Sequence, residues 1–237
     1  MIINLLRFII NKFDFFYQKK ILRVLSEHIK NNAIIIDVGS HHGETINLML
    51  RNFDIKEIHG FEASPINFNI LKKKIDKKNE KIIINNIGLG KIKEVKTFNQ
   101  VKESSSSTFN KLNTDSKYYK KKKRILSLFN SKFFYKEIDV NVMRLDEYLI
   151  KASMPTIDLL KIDTEGFEFN VLKGAGEYIK KINIIYFEHH YDNMIIKNYK
   201  FSDINDYLIR NNFKKIFKIK MPFRKSYEYI YINLKIC

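Results

Sequence analysis

In the stretch Ile157-Asp158-Leu159-Leu160-Lys161-Ile162-Asp163-Thr164-Glu165-Gly166-Phe167-Glu168, an apolar run stops at a carboxylate, Asp163. A second carboxylate, Glu165, and a glycine follow before a helical pattern begins. The run reads as a buried strand. In an open parallel sheet, ligands bind at the carboxyl ends of strands, beside the point where strand order reverses. Burying either acid without a partner would cost several kcal/mol. Two acids at such an end serve chemistry rather than packing, and an enzyme is the first expectation.

Three further apolar runs end in acid: Asp37 after Ile34-Ile35-Ile36, Glu62 after Gly60-Phe61, and Glu188 after Ile184-Ile185-Tyr186-Phe187. Four such ends on one edge of one sheet would line a single crevice. Asp37-Val38-Gly39-Ser40-His41-His42-Gly43 makes the first strand-to-helix turn. Its glycines let a ligand approach the backbone, and the helix amides beyond offer hydrogen bonds. Glu62 lies 23 residues past Gly39, near the roughly 20-residue offset of an acid that grips a ribose. The turn is not GxGxxG, so a dinucleotide fits poorly. Asp163, Glu165 and Glu188 could instead hold Mg²⁺, but nothing in their spacing demands a metal.

The elements that must position these residues alternate along the chain. Strands are expected at Ala33–Val38, Ile58–Phe61, Lys81–Asn85, Val140–Val142, Ile157–Ile162 and Ile182–Phe187, with a short extra one at Val95–Phe98. Helices fall at Glu44–Phe53, from Pro65, at Leu145–Ile150, through Val171 and Leu172 to Gly174, and at Asp203–Arg210. Two last strands, Phe213–Ile219 and Tyr227–Leu234, flank Met221-Pro222-Phe223 and must pair antiparallel. This predicts an α/β fold: a doubly wound, mostly parallel, Rossmann-like sheet closed by an antiparallel C-terminal hairpin. Two regions stand apart. Residues 1–32 read as an amphipathic helical segment before a domain at 33–237. Residues 99–136, with Ser104–Thr108 and Lys120–Arg124, read as a lysine- and serine-rich insertion, a linker or a lid.

The 237 residues carry 43 Lys plus Arg against 26 Asp plus Glu, a net charge of +17. Lysine supplies most of it, alongside many Asn and Ile, so compositional bias on solvated faces explains much of the charge. A chain poor in the arginine fork is ill equipped to read phosphates and bases, which argues against nucleic acid as a partner. The single cysteine, Cys237, excludes a disulfide framework and points to a reducing, cytoplasmic setting. No run of about 20 apolar residues spans a membrane, and a signal peptide is not expected, because Arg7, Lys12 and Asp14 interrupt the apolar N-terminus. Between Ile2 and Tyr17 the polar residues recur every three or four positions. That is one stripe of a helix, packed on the domain, in a homodimer interface, or lying peripherally on the inner face of an anionic membrane.

Ile36 to Gly43, Phe61-Glu62-Ala63-Ser64-Pro65, and Leu160 to Glu168 continuing into Val171-Leu172-Lys173-Gly174-Ala175 resemble the FkbM-type family of S-adenosylmethionine-dependent methyltransferases. The resemblance runs from about Ala33 to Glu188; Ala63 departs from a proline common in the family. It implies a class I methyltransferase sheet and S-adenosyl-L-methionine as cofactor. Asp37, Gly39, His41 and Gly43 would hold the methionine part, Glu62 the ribose hydroxyls, and Asn86 would neighbour the adenine. It also implies transfer to a hydroxyl of a sugar, glycan or glycolipid intermediate. Such a hydroxyl needs a base: Asp163 and Glu165 are the first candidates, Lys161 would orient them or the acceptor, and His189 and His190 are second. A nicotinamide-dependent oxidoreductase and a non-catalytic, basic, membrane-associated binding module are the alternatives.

Overall fold

Ile34, Ile36 and Val38 belong to one apolar core and Ala33 and Ile35 to another, and all five are buried. A strand apolar on both sides needs cover on both faces, which is how the centre of a parallel sheet is built. The computed structural model describes residues 16–76, 78–101, 106–127, 135–222 and 225–236. The strands are β1 (Ala33–Val38), β2 (Ile55–Phe61), β3 (Ile82–Asn85), β4 (Gly88–Leu89), β5 (Glu94–Val101), β6 (Tyr135–Met143), β7 (Ile157–Ile162), β8 (Ile182–His190), β9 (Phe213–Lys220) and β10 (Ser226–Asn233). The helices are α1 (residues 16–26), α2 (Glu44–Asn52), α3 (Pro65–Lys74), α4 (Lys117–Ser127), α5 (Leu145–Lys151), α6 (Glu168–Gly174) and α7 (Phe201–Arg210).

Seven strands form one sheet in the order β3-β2-β1-β7-β8-β10-β9. β3, β2, β1, β7 and β8 are mutually parallel, and β10 is antiparallel to both β8 and β9. The mostly parallel sheet and its closing hairpin are as expected. From β1 the chain winds outward through β2 and β3, then returns to place β7 on the other side of β1. The switch point therefore lies between β1 and β7, at their carboxyl ends.

One face of the sheet is covered by α1, α2 and α3, through Ile21, Leu25, Ile46, Met49 and Leu71. The other is covered by α5, α6 and α7, through Leu145, Leu149, Val171, Leu172, Ile204 and Leu208. Pro65 stands at the start of α3, as expected, and Ser64 Oγ caps it by accepting from Asn67 N at 3.1 Å. α1 is packed on the domain: Ile21 and Leu25 are buried against the sheet. Residues 1–15, and with them most of the Ile2–Tyr17 stripe, lie outside the described residues. No described helix is long and apolar enough to cross a membrane.

Three features differ from the sequence reading. β8 continues to His190 rather than stopping at Phe187, because β10 pairs with it as far as Ser226↔His190. Glu188 and His189 are thus inside a strand. A second sheet, β4-β6-β5, was foreseen only as two short pieces, yet β5 and β6 pair over eight positions. Its solvent face is charged, which hides the strands from a search for apolar runs. Thirdly, the part of the 99–136 segment that is described contributes to the interior: Val101 and Thr108 are fully buried, Tyr119 is 5% exposed, and Thr108 bridges back to Asn99.

Candidate functional site

A cavity of about 440 Å³ opens at the carboxyl ends of β1, β7 and β8. The β1–α2 turn forms one side. Gly39, His41 and Gly43 all take positive φ, at 85°, 48° and 87°. For His41 this is a strained conformation, which costs a non-glycine residue about 1–2 kcal/mol. The strain aims its amide at Glu62, whose Oε2 accepts it at 2.7 Å. Glu62 Oε1 accepts from Ser64 N at 2.8 Å. Both oxygens are held by backbone and each keeps a lone pair for a ligand hydroxyl. Glu62 is 5% exposed, and burial pushes its carboxyl up to about 7 against these two bonds.

The turn and the end of β7 are packed as tightly as backbone allows. Gly39 N and Ser40 N donate to Phe61 O at 2.9 and 3.0 Å, and Asp163 N donates to Val38 O at 2.9 Å. A Cβ built on Gly39 would stand 1.9 Å from the carbonyl oxygen of Asp163. Only glycine fits there.

Asp37 and Lys161 are direct neighbours in the β1–β7 register, and Lys161 and Tyr186 in the β7–β8 register. Asp37 is completely buried, and its carboxylate accepts no hydrogen bond. The Lys161 ammonium is 3.7 Å away and also donates to Asp163 Oδ2 at 3.1 Å. Burial works against the lysine's charge, but Asp163, Asp37 and Glu228 outweigh it and raise its pKa. Burial raises Asp37 despite that lysine. Asp163, with a third of its side chain exposed, is the most open of these acids.

Glu165 is the second non-glycine residue strained into positive φ at the site, at 51°. Its Oε2 lies 3.3 Å from His190 Nε2. His190 also has Glu188 Oε2 at 3.7 Å and Asp192 Oδ2 at 3.5 Å. Burial would lower this histidine, but Glu165, Asp192 and Glu188 raise it well above its ordinary value. Those three carboxylates favour its charged form. The Asp163-to-Glu168 loop is fastened by Glu168, fully buried, which accepts from Gly166 N at 2.8 Å and from Tyr199 O–H at 2.6 Å.

Of the residues named from the sequence, Gly39, His41, Glu62, Lys161, Asp163 and Glu165 line the cavity, with Glu188 and His190. Asp37 sits beneath it and Gly43 behind the turn. His189 is not brought in. On β8 it faces away, among the rings of Tyr191, Tyr199 and Phe201, where burial and Lys197 lower it to about 3. Asn86 is exposed, its amide donating to Glu62 O at 2.8 Å, and Ile87 lines the cavity instead. Sequence reasoning missed Glu168, Asp192 and Glu228. Glu228 carried a signal, since it alternates in phase with buried Ile230 in an otherwise apolar strand. Among the described residues, the group whose ligand atoms converge enough for a metal is His41, His42 and Glu44, not Asp163, Glu165 and Glu188. Lys74, 3.9 Å from Glu44, competes for that carboxylate.

Comparison with known proteins fits this geometry. Residues 37–215 match the Methyltransferase FkbM domain. A methyltransferase FkbM from Methylobacillus flagellatus superposes with a TM-score of 0.53 at 15% identity, covering 85% of this chain and 44% of that one. The chain thus spans less than half the length of that relative. An rRNA methylase from Streptococcus thermophilus superposes with a TM-score of 0.51 at 9% identity, covering 90% of this chain and 93% of the other. At such identities the likeness is one of fold. No curated protein matches the sequence. With a match over more than half its length, the chain belongs to the FkbM methyltransferase family.

Proposed function

We propose that this chain is an O-methyltransferase that moves the methyl group of S-adenosyl-L-methionine to a hydroxyl of a sugar, glycan or glycolipid intermediate. The observation that carries the reading is the pairing of two features across the switch point. A buried acid held by two backbone amides, Glu62, lies on one side, and an open acid held by a lysine, Asp163, on the other.

The residues present fit the cofactor. The positive-φ turn offers backbone to the methionine part, with Asp37, Gly39, His41 and Gly43 as its frame. Glu62 takes the two ribose hydroxyls with the lone pairs its backbone bonds leave free. Asn86 fastens the stretch beside the adenine by bonding to Glu62 O. When bound, S-adenosyl-L-methionine supplies an activated methyl on a sulfonium.

Everything else falls to the side chains. Asp163 takes the proton from the acceptor hydroxyl as oxygen attacks. Lys161, braced from below by Asp37, fixes the direction in which the Asp163 carboxylate points. Glu165, held by His190, positions the acceptor. Alignment and a dry floor are what such a transfer needs from protein. The acid-rich lining would repel a phosphodiester, which supports a carbohydrate rather than a nucleic-acid acceptor. We place the enzyme in the cytoplasm, with residues 1–17 available for contact with the inner membrane face.

Calorimetry tests the reading. S-adenosylhomocysteine is expected to bind in the micromolar range and NAD not at all. Binding of NAD without S-adenosylhomocysteine would establish the oxidoreductase alternative; binding of neither would favour a non-catalytic module. Transfer of labelled methyl to RNA but to no carbohydrate would overturn the acceptor class.

A further inference from the structure

The family match ends at residue 215, and the strand beyond it, β10, brings one more carboxylate into the cavity. Tyr229 and Tyr231 belong to one core and Ile230 to the other. Glu228 shares the side of Ile230, lines the cavity and is 7% exposed. It stands directly opposite Glu188 in the β8–β10 register, and Glu188 is 4% exposed. Glu228 Oε2 accepts no hydrogen bond. Among the described residues, no lysine, arginine or histidine forms an ion pair with Glu228. Lys161 is engaged by Asp163 and Asp37, and His190 by Glu165, Glu188 and Asp192.

Two adjacent buried carboxylates cannot both stay ionised without a cation between them. Here His190 reaches Glu188 at 3.7 Å but is shared with Glu165 and Asp192, and Lys161 is held by Asp163 and Asp37, so Glu228 is the member of the pair left without an ion pair among the described residues. Among the described residues, acids lining the cavity outnumber lysines seven to two, in a chain whose net charge is +17. The cofactor does not make up the difference. β10 stands three strands from β1, about 14 Å at the usual strand spacing. Glu62, which would hold the ribose, lies at the end of β2, on the far side of β1, so the nucleoside extends away from β10.

We propose that Glu228 and Glu188 form a recognition subsite for an ammonium group, so that the acceptor is a polyol bearing a primary amine, of the amino-sugar kind. This deepens the methyltransferase reading and rests on it. An ammonium offers three N–H donors in a compact charge, enough to satisfy the open oxygen of Glu228 and a partner oxygen on Glu188. The protonated nitrogen has no lone pair to be methylated, so the methyl goes to a hydroxyl facing Asp163. Without the amine, a proton holds the pair together. Burial first, then Glu188 and Asp163, raise Glu228 well above the ordinary carboxyl range, against Lys161 and Tyr186. Arrival of the ammonium should expel that proton.

The test is calorimetry on the full chain saturated with S-adenosylhomocysteine, using methyl glycosides of glucosamine and galactosamine against those of glucose and galactose. Each titration is run in two buffers of different ionisation enthalpy. The amino glycosides should bind at least about tenfold tighter than the neutral ones, with release of close to one proton. Glu228→Gln should abolish both the preference and the proton release while S-adenosylhomocysteine binds as before. This variant has the shape and neutrality of the protonated acid, so it should fold; Glu188→Gln is the second variant and should behave alike. Equal binding of amino and neutral glycosides, binding of neither, or a preference unchanged in both variants overturns the subsite. Weakened S-adenosylhomocysteine binding in Glu228→Gln also overturns it, by giving the carboxylate to the cofactor. Failure of wild-type protein to bind S-adenosylhomocysteine sinks the methyltransferase reading itself.

Discussion

Replacing Glu62 by Gln probes the proposed cofactor site at its most constrained point. The carboxylate holds His41 N at 2.7 Å and Ser64 N at 2.8 Å. An amide keeps the shape but turns one acceptor into a donor, so one of those two backbone N–H groups faces another N–H. Leaving a buried donor unsatisfied costs about 1–3 kcal/mol. The bonds to two ribose hydroxyls lose their charge as well. At about 1.5–3 kcal/mol for each charge-assisted bond, affinity for S-adenosylhomocysteine should fall by roughly 10²–10⁴-fold. Calorimetry measures this, with a thermal melt to show that the variant is folded.

The pH dependence supplies a second reading of the same residue. Burial holds Glu62 at about 7, above its ordinary 4.5. A folded-state carboxyl raised in this way binds its proton more tightly than the unfolded chain does. Its contribution to stability is therefore fullest below pH 4.5 and is lost as pH climbs to 7. Over that window the loss is on the order of 3 kcal/mol. Affinity for the cofactor should run the other way, rising from pH 6 to 8 as the carboxylate forms. Glu62→Gln should flatten both trends. A folded variant that binds S-adenosylhomocysteine within threefold of wild type would refute the reasoning.

Asp163→Asn and Glu165→Gln should each lower turnover by about 10²–10⁴-fold and leave S-adenosylhomocysteine affinity nearly unchanged; wild-type rates in both would move the base elsewhere. EDTA should leave wild-type activity intact, and silencing that Mg²⁺ reverses would reassign the acids as metal ligands. Gly39→Ala sets a Cβ 1.9 Å from the Asp163 carbonyl oxygen at a φ of 85°. It should cost at least about 3 kcal/mol and lower Tm by roughly 6–12 °C, which a melt with no shift would contradict. Deleting residues 1–17 should preserve cofactor binding, because Gln18, Ile21 and Leu22, which line the cavity, remain. Flotation with anionic liposomes, if the full chain shows it at low salt, should vanish with the deletion. A full chain that never floats removes the membrane contact.

The site's skeleton was legible because it is local. Asp37 to Gly43, Glu62 after β2 and Asp163 after β7 each show as an apolar run meeting polar residues, and each lines the crevice or braces it. What escaped depends on pairing between distant segments. Nothing between Ile182 and Phe187 announces that β8 continues to His190; Ser226 and Tyr227 on β10 carry it there. Which of two adjacent histidines enters the cavity is set by strand parity, so placing His189 and His190 just past the end of the strand left both open. The second sheet was faint because Lys136, Glu137 and Asp139 break any apolar run in β6. Asp192 and Glu168 look like ordinary surface acids until His190 and Tyr199 stand beside them.

The contact between Gly39 and the Asp163 carbonyl leaves no room for even a methyl group between the turn proposed to hold the methyl donor and the residue proposed to accept the proton. Those two loops can only move as one piece. A lineage that needs a different acceptor cannot shift Asp163 without dismantling the donor pocket. It must reshape the opposite wall, where α1 and the β9–β10 hairpin lie largely outside the family match. The molecule is thus divided into a half that fixes the reaction and a half free to diverge. An exchange of specificity between relatives should be sought by transplanting those two terminal segments rather than by editing the centre.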